Sequence, residues 1–172
     1  MLESSLNDLW PDAYDELKRI AARLMSRERS DHTLTPTALV HEVWLNLAGA
    51  KRPAQLQDRL HFMALAARAM RNILVNHAHA RLADKRGSGA LHVTLSATDD
   101  VPGTASGPAE LLGVHQALNA LAAIDPRAAE VAELKVFGGL DVAEIAAALK
   151  VSEPTVKRDW VFARAHLAQS LS

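Results

Sequence analysis

Residues 140–167, LDVAEIAAALKVSEPTVKRDWVFARAHL, contain two helical patterns separated by a very short turn. Asp141 followed by Glu144 is typical of a capping box at a helix N-terminus, and Ser152 is typical of the N-cap of the next helix. Only residues 150–151 are left for the turn. Two short helices joined so closely cannot lie antiparallel and must cross steeply. The stretch therefore predicts a helix-turn-helix, whose second helix can enter the major groove of DNA.

The second helix of this pair has an apolar stripe formed by Val156, Trp160, Ala163 and Leu167. The side chains outside that stripe are predicted to project outward, where Lys and Arg can bind phosphates or guanine edges. In the alternative interpretation, the element is a helical hairpin whose basic side chains are merely solvated. The candidate DNA contacts are Thr155, Lys157, Arg158, Val161 and Arg164.

The net charge of the chain is only −1, but the charges are divided into blocks. Residues 51–90 carry 8 basic and 2 acidic side chains, whereas residues 91–149 carry 2 basic and 8 acidic ones. Residues 150–172 are again basic, with 4 basic and 2 acidic side chains. Two basic blocks on either side of an acidic one predict two contacts with a polyanion such as DNA. The alternative is an ordinary solvated surface.

The rest of the chain favours helices, because Ala and Leu dominate and aromatic residues make up only 4%. We predict an all-α fold of two small helical domains, the C-terminal one a helix-turn-helix. The N-terminal domain spans residues 1–84, a flexible linker rich in Gly, Ser, Thr and Pro spans 85–108, and the C-terminal domain spans 109–172. The other predicted helices are 7–29, 36–48, 60–82, 109–124 and 126–137.

Several classes of function are not supported by the sequence. There is no cysteine, and His77 and His79 are two apart on a predicted helix, where they point in different directions and chelate poorly. No P-loop, nucleophile elbow or dinucleotide-binding motif is present. We expect no metal, cofactor, small-molecule substrate or catalytic activity. The sequence has no signal peptide and no apolar run of about 20 residues, so we expect a cytoplasmic protein without membrane association.

Three segments together resemble one family. Residues 121–167 resemble the C-terminal domain of the extracytoplasmic-function (ECF) sigma factors of bacterial RNA polymerase, within the sigma-70 family. HFMALAARAMRNILVNHAHAR, residues 61–81, is similar to the promoter-melting helix of that family. TALVHEVWLNL, residues 37–47, is similar to the helix that binds the clamp of the largest polymerase subunit. The resemblance implies a sigma factor that binds core RNA polymerase and directs promoter-specific initiation of transcription.

The resemblance also implies roles for particular residues. The helix-turn-helix would recognise the minus-35 promoter element, and the melting helix with its preceding loop would hold the minus-10 strand. Leu65 and Ala67 stand where the family often has aromatic residues, so fewer stacking surfaces remain. The residues implied for the minus-10 element are Lys51, Arg52, Arg59, His61, Phe62, Arg68, Asn72 and Arg81. Those implied for the polymerase core are Leu39, Val40, Glu42, Val43 and Trp44.

The start of the clamp-binding helix departs from the family pattern. An acidic Asp-Ala-Glu-Asp run is usual there, but this chain has the uncharged residues 35–38, Thr-Pro-Thr-Ala. A phosphate at a helix N-terminus gains from the helix dipole and adds a charge of about −1.5 to −2. We therefore hypothesise that a kinase phosphorylates Thr35 or Thr37, or else Thr33, and that the added charge promotes polymerase binding. In the alternative, Thr35 is only an N-cap, and an anti-sigma factor controls the protein.

Two other functions remain as alternatives. A stand-alone helix-turn-helix regulator would bind duplex DNA as a dimer without polymerase, although no dimerisation heptad is evident. A small helical enzyme would use the histidines. The arrangement of the domains in the free protein is also open: an inactive form would pack them together and hide the basic faces, whereas an active form would be extended.

Overall fold

The computed structural model describes residues 6–25, 34–49, 58–84 and 107–172, and all regular structure within these ranges is helical. This confirms the predicted all-α fold class. Most of the predicted linker lies outside the described residues, and its last residue, Pro108, begins a helix. The helices are α1 (Leu6–Met25), α2 (Pro36–Ala48), α3 (Arg59–Asp84), α4 (Pro108–Ile124), α5 (Pro126–Val136), α6 (Val142–Leu149) and α7 (Glu153–Leu171).

The caps predicted around the helix-turn-helix are present. The backbone N–H of Glu144 donates to Asp141 Oδ1 over 2.8 Å, and the backbone N–H of Asp141 donates to Glu144 Oε2 over 2.9 Å. This is a complete capping box at the start of α6. Ser152 Oγ accepts a hydrogen bond from the backbone N–H of Thr155 at the start of α7. The local sequence thus fixes where both helices of the motif begin.

The turn between α6 and α7 depends on a left-handed residue. Lys150 has φ 56° and ψ 45°, and it is the only non-glycine residue with positive φ in the described ranges. Its backbone N–H and that of Val151 both donate to the carbonyl oxygen of Ala146. This arrangement ends α6 and turns the chain within two residues. A side chain at such a position costs on the order of 1 kcal/mol relative to glycine.

One hydrophobic core connects the two halves of the chain. Helix α3 packs against α1 and α2 on one side and against α4, α5 and α6 on the other. Its residues Phe62 and Met70 are fully buried, as are Leu118 of α4 and Leu134 of α5, and all four belong to one cluster. The packed arrangement of the free protein, rather than the extended one, is therefore what the structure shows.

The N-terminal helix is described over most of its predicted range. Helix α1 covers Leu6–Met25, and the last four residues of the predicted helix, 26–29, lie outside the described ranges. Pro11 lies in the second turn of α1, where its missing N–H removes the hydrogen bond that position 11 would otherwise donate to the carbonyl oxygen of Asn7. Within the described ranges, no helix combines the length and apolarity required to cross a membrane.

We predict that Lys150→Gly raises the free energy of unfolding by about 0.5–1 kcal/mol, because glycine adopts the left-handed conformation without steric cost. The measurement is chemical denaturation monitored by circular dichroism. Lys18→Gly is the matched control: Lys18 is exposed within α1, and glycine there lowers the free energy of unfolding by about 1 kcal/mol. A loss of stability in Lys150→Gly would contradict the prediction.

Candidate nucleic-acid interface

The outward face of α7 carries the positive side chains that the sequence predicts there. Lys157, Arg158, Val161 and Arg164 are all exposed, and Val161 retains 61% of its accessible surface. The opposite side of the helix is buried in the core through residues that include Val156, Ala163 and Leu167, while Trp160 is half-buried. Helix α7 therefore presents a continuous cationic surface that can lie along a nucleic-acid groove.

Thr155 lies at the edge of this surface and has a local partner. Its side chain is half-buried, and its Oγ1 lies 2.8 Å from Ser152 Oγ. The hydroxyl thus belongs to the cap of α7 in this structure. Its position in the first turn still places it beside the exposed residues of the helix.

An ion pair that the sequence analysis did not identify holds α7 in place. Arg127, at the start of α5, donates from Nε to Asp159 Oδ2 over 2.6 Å and from Nη2 to Asp159 Oδ1 over 3.2 Å. Asp159 is 7% exposed. Its carboxylate raises the pKa of the Arg127 guanidinium by accepting these hydrogen bonds. The Lys135 ammonium also lies 5.5 Å from the Trp160 ring centroid, so two contacts fix α7 against α5.

The sequence did contain an indication of this pair. Asp159 lies three residues after Val156 and four before Ala163, which places an acidic side chain inside the apolar stripe of α7. A charged side chain that is buried needs a partner. The same stripe therefore predicts a nearby cation, although it does not say that the cation is Arg127.

Helix α3 carries several of the residues implied for the minus-10 element. Two of these residues, Arg59 and Arg68, bind carboxylates of other helices. Arg68 Nη2 lies 3.1 Å from Glu130 Oε1 of α5. Arg59 contacts Glu16 of α1, and its Nη1 lies 3.5 Å from Glu144 Oε1 of α6. The hydrogen bond from Arg59 to Glu16 is the main reason that the pKa of Arg59 is raised.

Arg71 makes the most buried ion pair between the two halves, and the sequence analysis did not name it. Its Nη1 lies 3.5 Å from Glu133 Oε1, and the two side chains are only 12% and 14% exposed. Its Nε donates to His115 Nδ1 over 3.1 Å, and its Nη2 donates to the carbonyl oxygen of His115 and to Asn119 Oδ1. Arg71 therefore joins α3 to both α4 and α5.

The other residues implied for the minus-10 element fall into different environments. Asn72 is exposed, while His61 and Arg81 are half-buried on α3. Lys51 and Arg52 lie outside the described residues. Phe62 is fully buried and packs edge-on against Trp10 at 6.3 Å between ring centroids. Its ring lies in the core on the same face of α3 as Ala66 and Ala69.

The residues implied for polymerase binding on α2 differ in exposure. Leu39, Val40 and Val43 are fully buried, because their spacing places them on the side of α2 that packs against α1 and α3. In this structure they stabilise the helix from inside. Glu42 and Trp44 are half-buried and remain reachable.

The accessible side of α2 forms a groove with α1. The Trp44 ring packs on Trp10 at 4.8 Å between centroids with an interplanar angle of 59°, and Leu45 is 67% exposed. His41 is exposed beside them. Positions 41 and 45 are four residues apart, so helical spacing alone indicates that they share a face. The groove is lined by Asn7, Trp10, Pro11, His41, Trp44 and Leu45.

The threonines at the start of α2 occupy a helix N-terminus, as the sequence predicts. Thr35 is exposed, and its Oγ1 accepts a hydrogen bond from the backbone N–H of Ala38 over 3.1 Å. Thr37 is half-buried in the first turn, which contains no acidic residue. Thr33 lies outside the described residues. Phosphorylation of Thr35 would replace a neutral N-cap with a charged group at the positive end of the helix dipole.

The histidines considered as metal ligands have other surroundings. His77 Nε2 lies 3.3 Å from the Glu42 carboxylate, which connects α3 to α2. His79 is exposed. In the part of the chain that the structure describes, no group of three or more His, Cys, Asp and Glu side chains could hold a metal ion.

Comparison with known protein families gave one result. A family model described as "ECF sigma factor" matches residues 3–172. Comparison with curated proteins and with solved structures gave no match.

We predict that His115 makes the packing of α3 against α4 sensitive to pH. Burial, together with the charges of Arg71 and His79, lowers the pKa of His115 from its ordinary value of 6.5. Between the lowered pKa and 6.5, the unfolded chain binds more protons than the folded one. The contribution of His115 to the free energy of unfolding is therefore constant above that range, and it falls as the pH decreases through the range.

The measurement is chemical denaturation at a series of pH values between about 7.5 and 5. The free energy of unfolding should begin to decrease as the pH falls to 6.5. His115→Gln should remove this component of the decrease. His41→Gln, at an exposed position on α2, should retain it. Equal pH dependence in wild type and His115→Gln would show that His115 does not contribute.

Proposed function

Because this chain belongs to the ECF sigma factor family, we propose that it is a non-catalytic subunit that brings core RNA polymerase to particular promoters. The family functions in transcription initiation, and the match extends over residues 3–172. The observation that carries the finer proposal is the exposed cationic face of α7, which a capped and ion-paired helix-turn-helix holds in place. The other surfaces of the molecule supply the remaining contacts that such a subunit needs.

Helix α7 is proposed to recognise the minus-35 element in duplex form. Lys157, Arg158 and Arg164 are long cationic side chains on one exposed face, and Val161 between them offers an apolar contact for a thymine methyl group. Asp159 is buried and paired with Arg127, so the exposed acidic side chain of α7 is Glu153, in the first turn. Thr155 would bind a phosphate or a base edge near the start of the helix.

Helix α3 and the residues before it are proposed to bind the minus-10 strand. Arg59, Arg68 and Arg81 would neutralise phosphates, and exposed Asn72 would hydrogen-bond to an unpaired base. His61 remains half-exposed for stacking, whereas Phe62 is buried. Lys51 and Arg52 keep their proposed role on sequence grounds alone. With few aromatic surfaces, charge rather than stacking would supply most of the strand affinity.

The groove between α1 and α2 is proposed to bind the polymerase clamp. Trp44 and Leu45 are the accessible apolar side chains there, and Glu42 is the acidic side chain retained from the family pattern. Aromatic residues in such positions frequently dominate the affinity of an interface. The surrounding side chains would then determine orientation and specificity.

Phosphorylation at the start of α2 is proposed to strengthen this interface. The first turn of α2 has no acidic side chain, and Thr35 is exposed to a kinase. A phosphate on Thr35 or Thr37 would restore negative charge where the family pattern has it. An anti-sigma factor remains the alternative regulator.

For α7, we predict that Lys157→Ala and Arg158→Ala each weaken binding to duplex DNA. Each variant should also reduce the slope of log Kd against log salt concentration, by about one unit for every phosphate contact that is lost. The measurement is fluorescence anisotropy at several salt concentrations. Lys18→Ala, which removes the same charge from α1, should leave the slope unchanged. Slopes equal to wild type in both α7 variants would show that this face does not bind phosphates.

For α2, we predict that the double variant Thr35→Asp/Thr37→Asp binds core RNA polymerase about tenfold more tightly than wild type, because two charges at an interface rim contribute roughly 0.5–1 kcal/mol each. The matched control is Thr35→Asn/Thr37→Asn, which retains an N-cap but adds no charge.

Binding to core is titrated for all three proteins and for protein phosphorylated at the same threonines. Core binding by any form supports the sigma-factor function. Equal affinity of phosphorylated and unmodified protein would refute the phosphorylation proposal. No binding by any form would favour a stand-alone DNA-binding regulator.

A further inference from the structure

We propose that the C-terminal half of this protein is an autoinhibitory partner of its own strand-binding helix. In the free protein, carboxylates of α5 pair with Arg68, which is proposed above to bind the minus-10 strand, and with Arg71, three residues further along α3. We call the contacts of Arg68 with Glu130 and of Arg71 with Glu133 the latch. Arg59 also contacts Glu144 of α6, but its main partner is Glu16 of α1, so it is not part of the latch. The proposal rests on the function proposed above for α3, and it concerns how that function is restrained.

The latch competes directly with nucleic acid for the same hydrogen-bond donors. Arg68 Nη2 is 3.1 Å from Glu130 Oε1, and Arg71 Nη1 is 3.5 Å from Glu133 Oε1. A guanidinium group pairs with a carboxylate or with a phosphate through the same planar set of N–H groups. A strand phosphate therefore competes with the carboxylates for these N–H groups.

The charge blocks of the sequence match this arrangement. The two arginines of the latch lie in the basic block, residues 51–90, and the two glutamates lie in the acidic block, residues 91–149. The sequence alone suggested two basic blocks directed at a polyanion with an acidic block between them. In the described part of the chain, these pairs join the first basic block to the acidic one, so the chain supplies its own competitor for DNA.

The turn after α5, beside the latch, packs closely against α1 and α3. Gly139 has φ +64°, and a Cβ atom added there would lie 3.1 Å from the side chain of Ile20 in α1. A Cβ atom on the adjacent Gly138 would lie 3.3 Å from the Cβ of Ala67 in α3. Arg23 of α1 donates from Nη2 to the carbonyl oxygen of Val136 over 2.9 Å. The turn after α5 thus fits against α1 and α3 only because it lacks side chains.

The latch leaves the other DNA-binding surface open. Among the described residues, α7 packs against α4, α5 and α6 and not against α1, α2 or α3. Its Lys157 and Arg158 remain exposed. Autoinhibition should therefore lower affinity for single-stranded DNA without lowering affinity for duplex DNA. A general loss of positive charge would lower both affinities.

The exposure of the pairs indicates how the latch opens. Arg68 and Glu130 retain 57% and 37% of their side-chain surface, so dissolved salt screens that pair strongly. Arg71 and Glu133 are much more buried and are screened less. Opening should accordingly be promoted by salt in wild type and by removal of the glutamate charges at any salt concentration.

The test uses the full-length chain, which has no cysteine and can be labelled at introduced ones. Asn46→Cys on α2 and Gln169→Cys on α7, both at exposed positions, carry a donor and an acceptor dye. The latch variant is Glu130→Gln/Glu133→Gln. The control is Asp12→Asn/Asp15→Asn on exposed positions of α1, which changes the net charge by the same amount.

Energy transfer and DNA binding are measured on the same proteins. The DNA probes are a fluorescein-labelled single strand of mixed sequence and the corresponding duplex. We expect lower energy transfer in the latch variant and about fivefold tighter binding of the single strand, from two partly exposed pairs. Duplex affinity should change no more than in the control. Glu130→Gln alone should show a smaller effect in the same direction, with an unchanged circular dichroism spectrum.

Two results would overturn the proposal. One is energy transfer in the latch variant equal to that in the control. The other is reduced energy transfer without a gain in single-strand affinity over the control, because the two halves would then separate without uncovering a strand-binding face. If the latch variant shows both expected changes but no form binds core polymerase, the latch is supported and the proposed sigma-factor function fails.

Discussion

The structure depends on the burial of α3 from two sides. A single helix of 26 residues cannot be stable in water unless its apolar residues are covered. Helices α1 and α2 cover one side, and α4 with α5 and α6 cover the other. Phe62, Met63 and Met70 are fully buried between them. Three arginines of α3, Arg59, Arg68 and Arg71, pair with acidic side chains of the helices packed against it.

The elements encoded by neighbouring residues could be predicted from the sequence. The helix-turn-helix is specified by Asp141, Glu144 and Ser152, whose hydrogen bonds span three residues and need no tertiary information. The exposed face of α7 follows from helical periodicity. The left-handed conformation of Lys150 could not be predicted from residue preference, because a side chain disfavours it.

The contacts that determine the arrangement of the two halves could not be predicted in the same way. Arg68 and Glu130 are 62 residues apart, and Arg59 and Glu144 are 85 apart. Charge blocks show that such residues attract, but they do not distinguish an internal partner from DNA. Similarly, the family resemblance implies that α2 binds polymerase without saying which of its residues are buried. Val43 was therefore predicted to lie at that interface, and in the structure it packs inside.

This packing gives a physical explanation for the net charge of only −1. A basic surface that binds DNA is usually part of a basic domain, because counterion release supplies much of the affinity. Here the net positive charge of residues 51–90 equals in size the net negative charge of residues 91–149. In the described part of the chain, Arg68 and Arg71 of the first block pair with Glu130 and Glu133 of the second. In the functions proposed above, the exposed face of α7 would contact duplex DNA while these arginines are still paired.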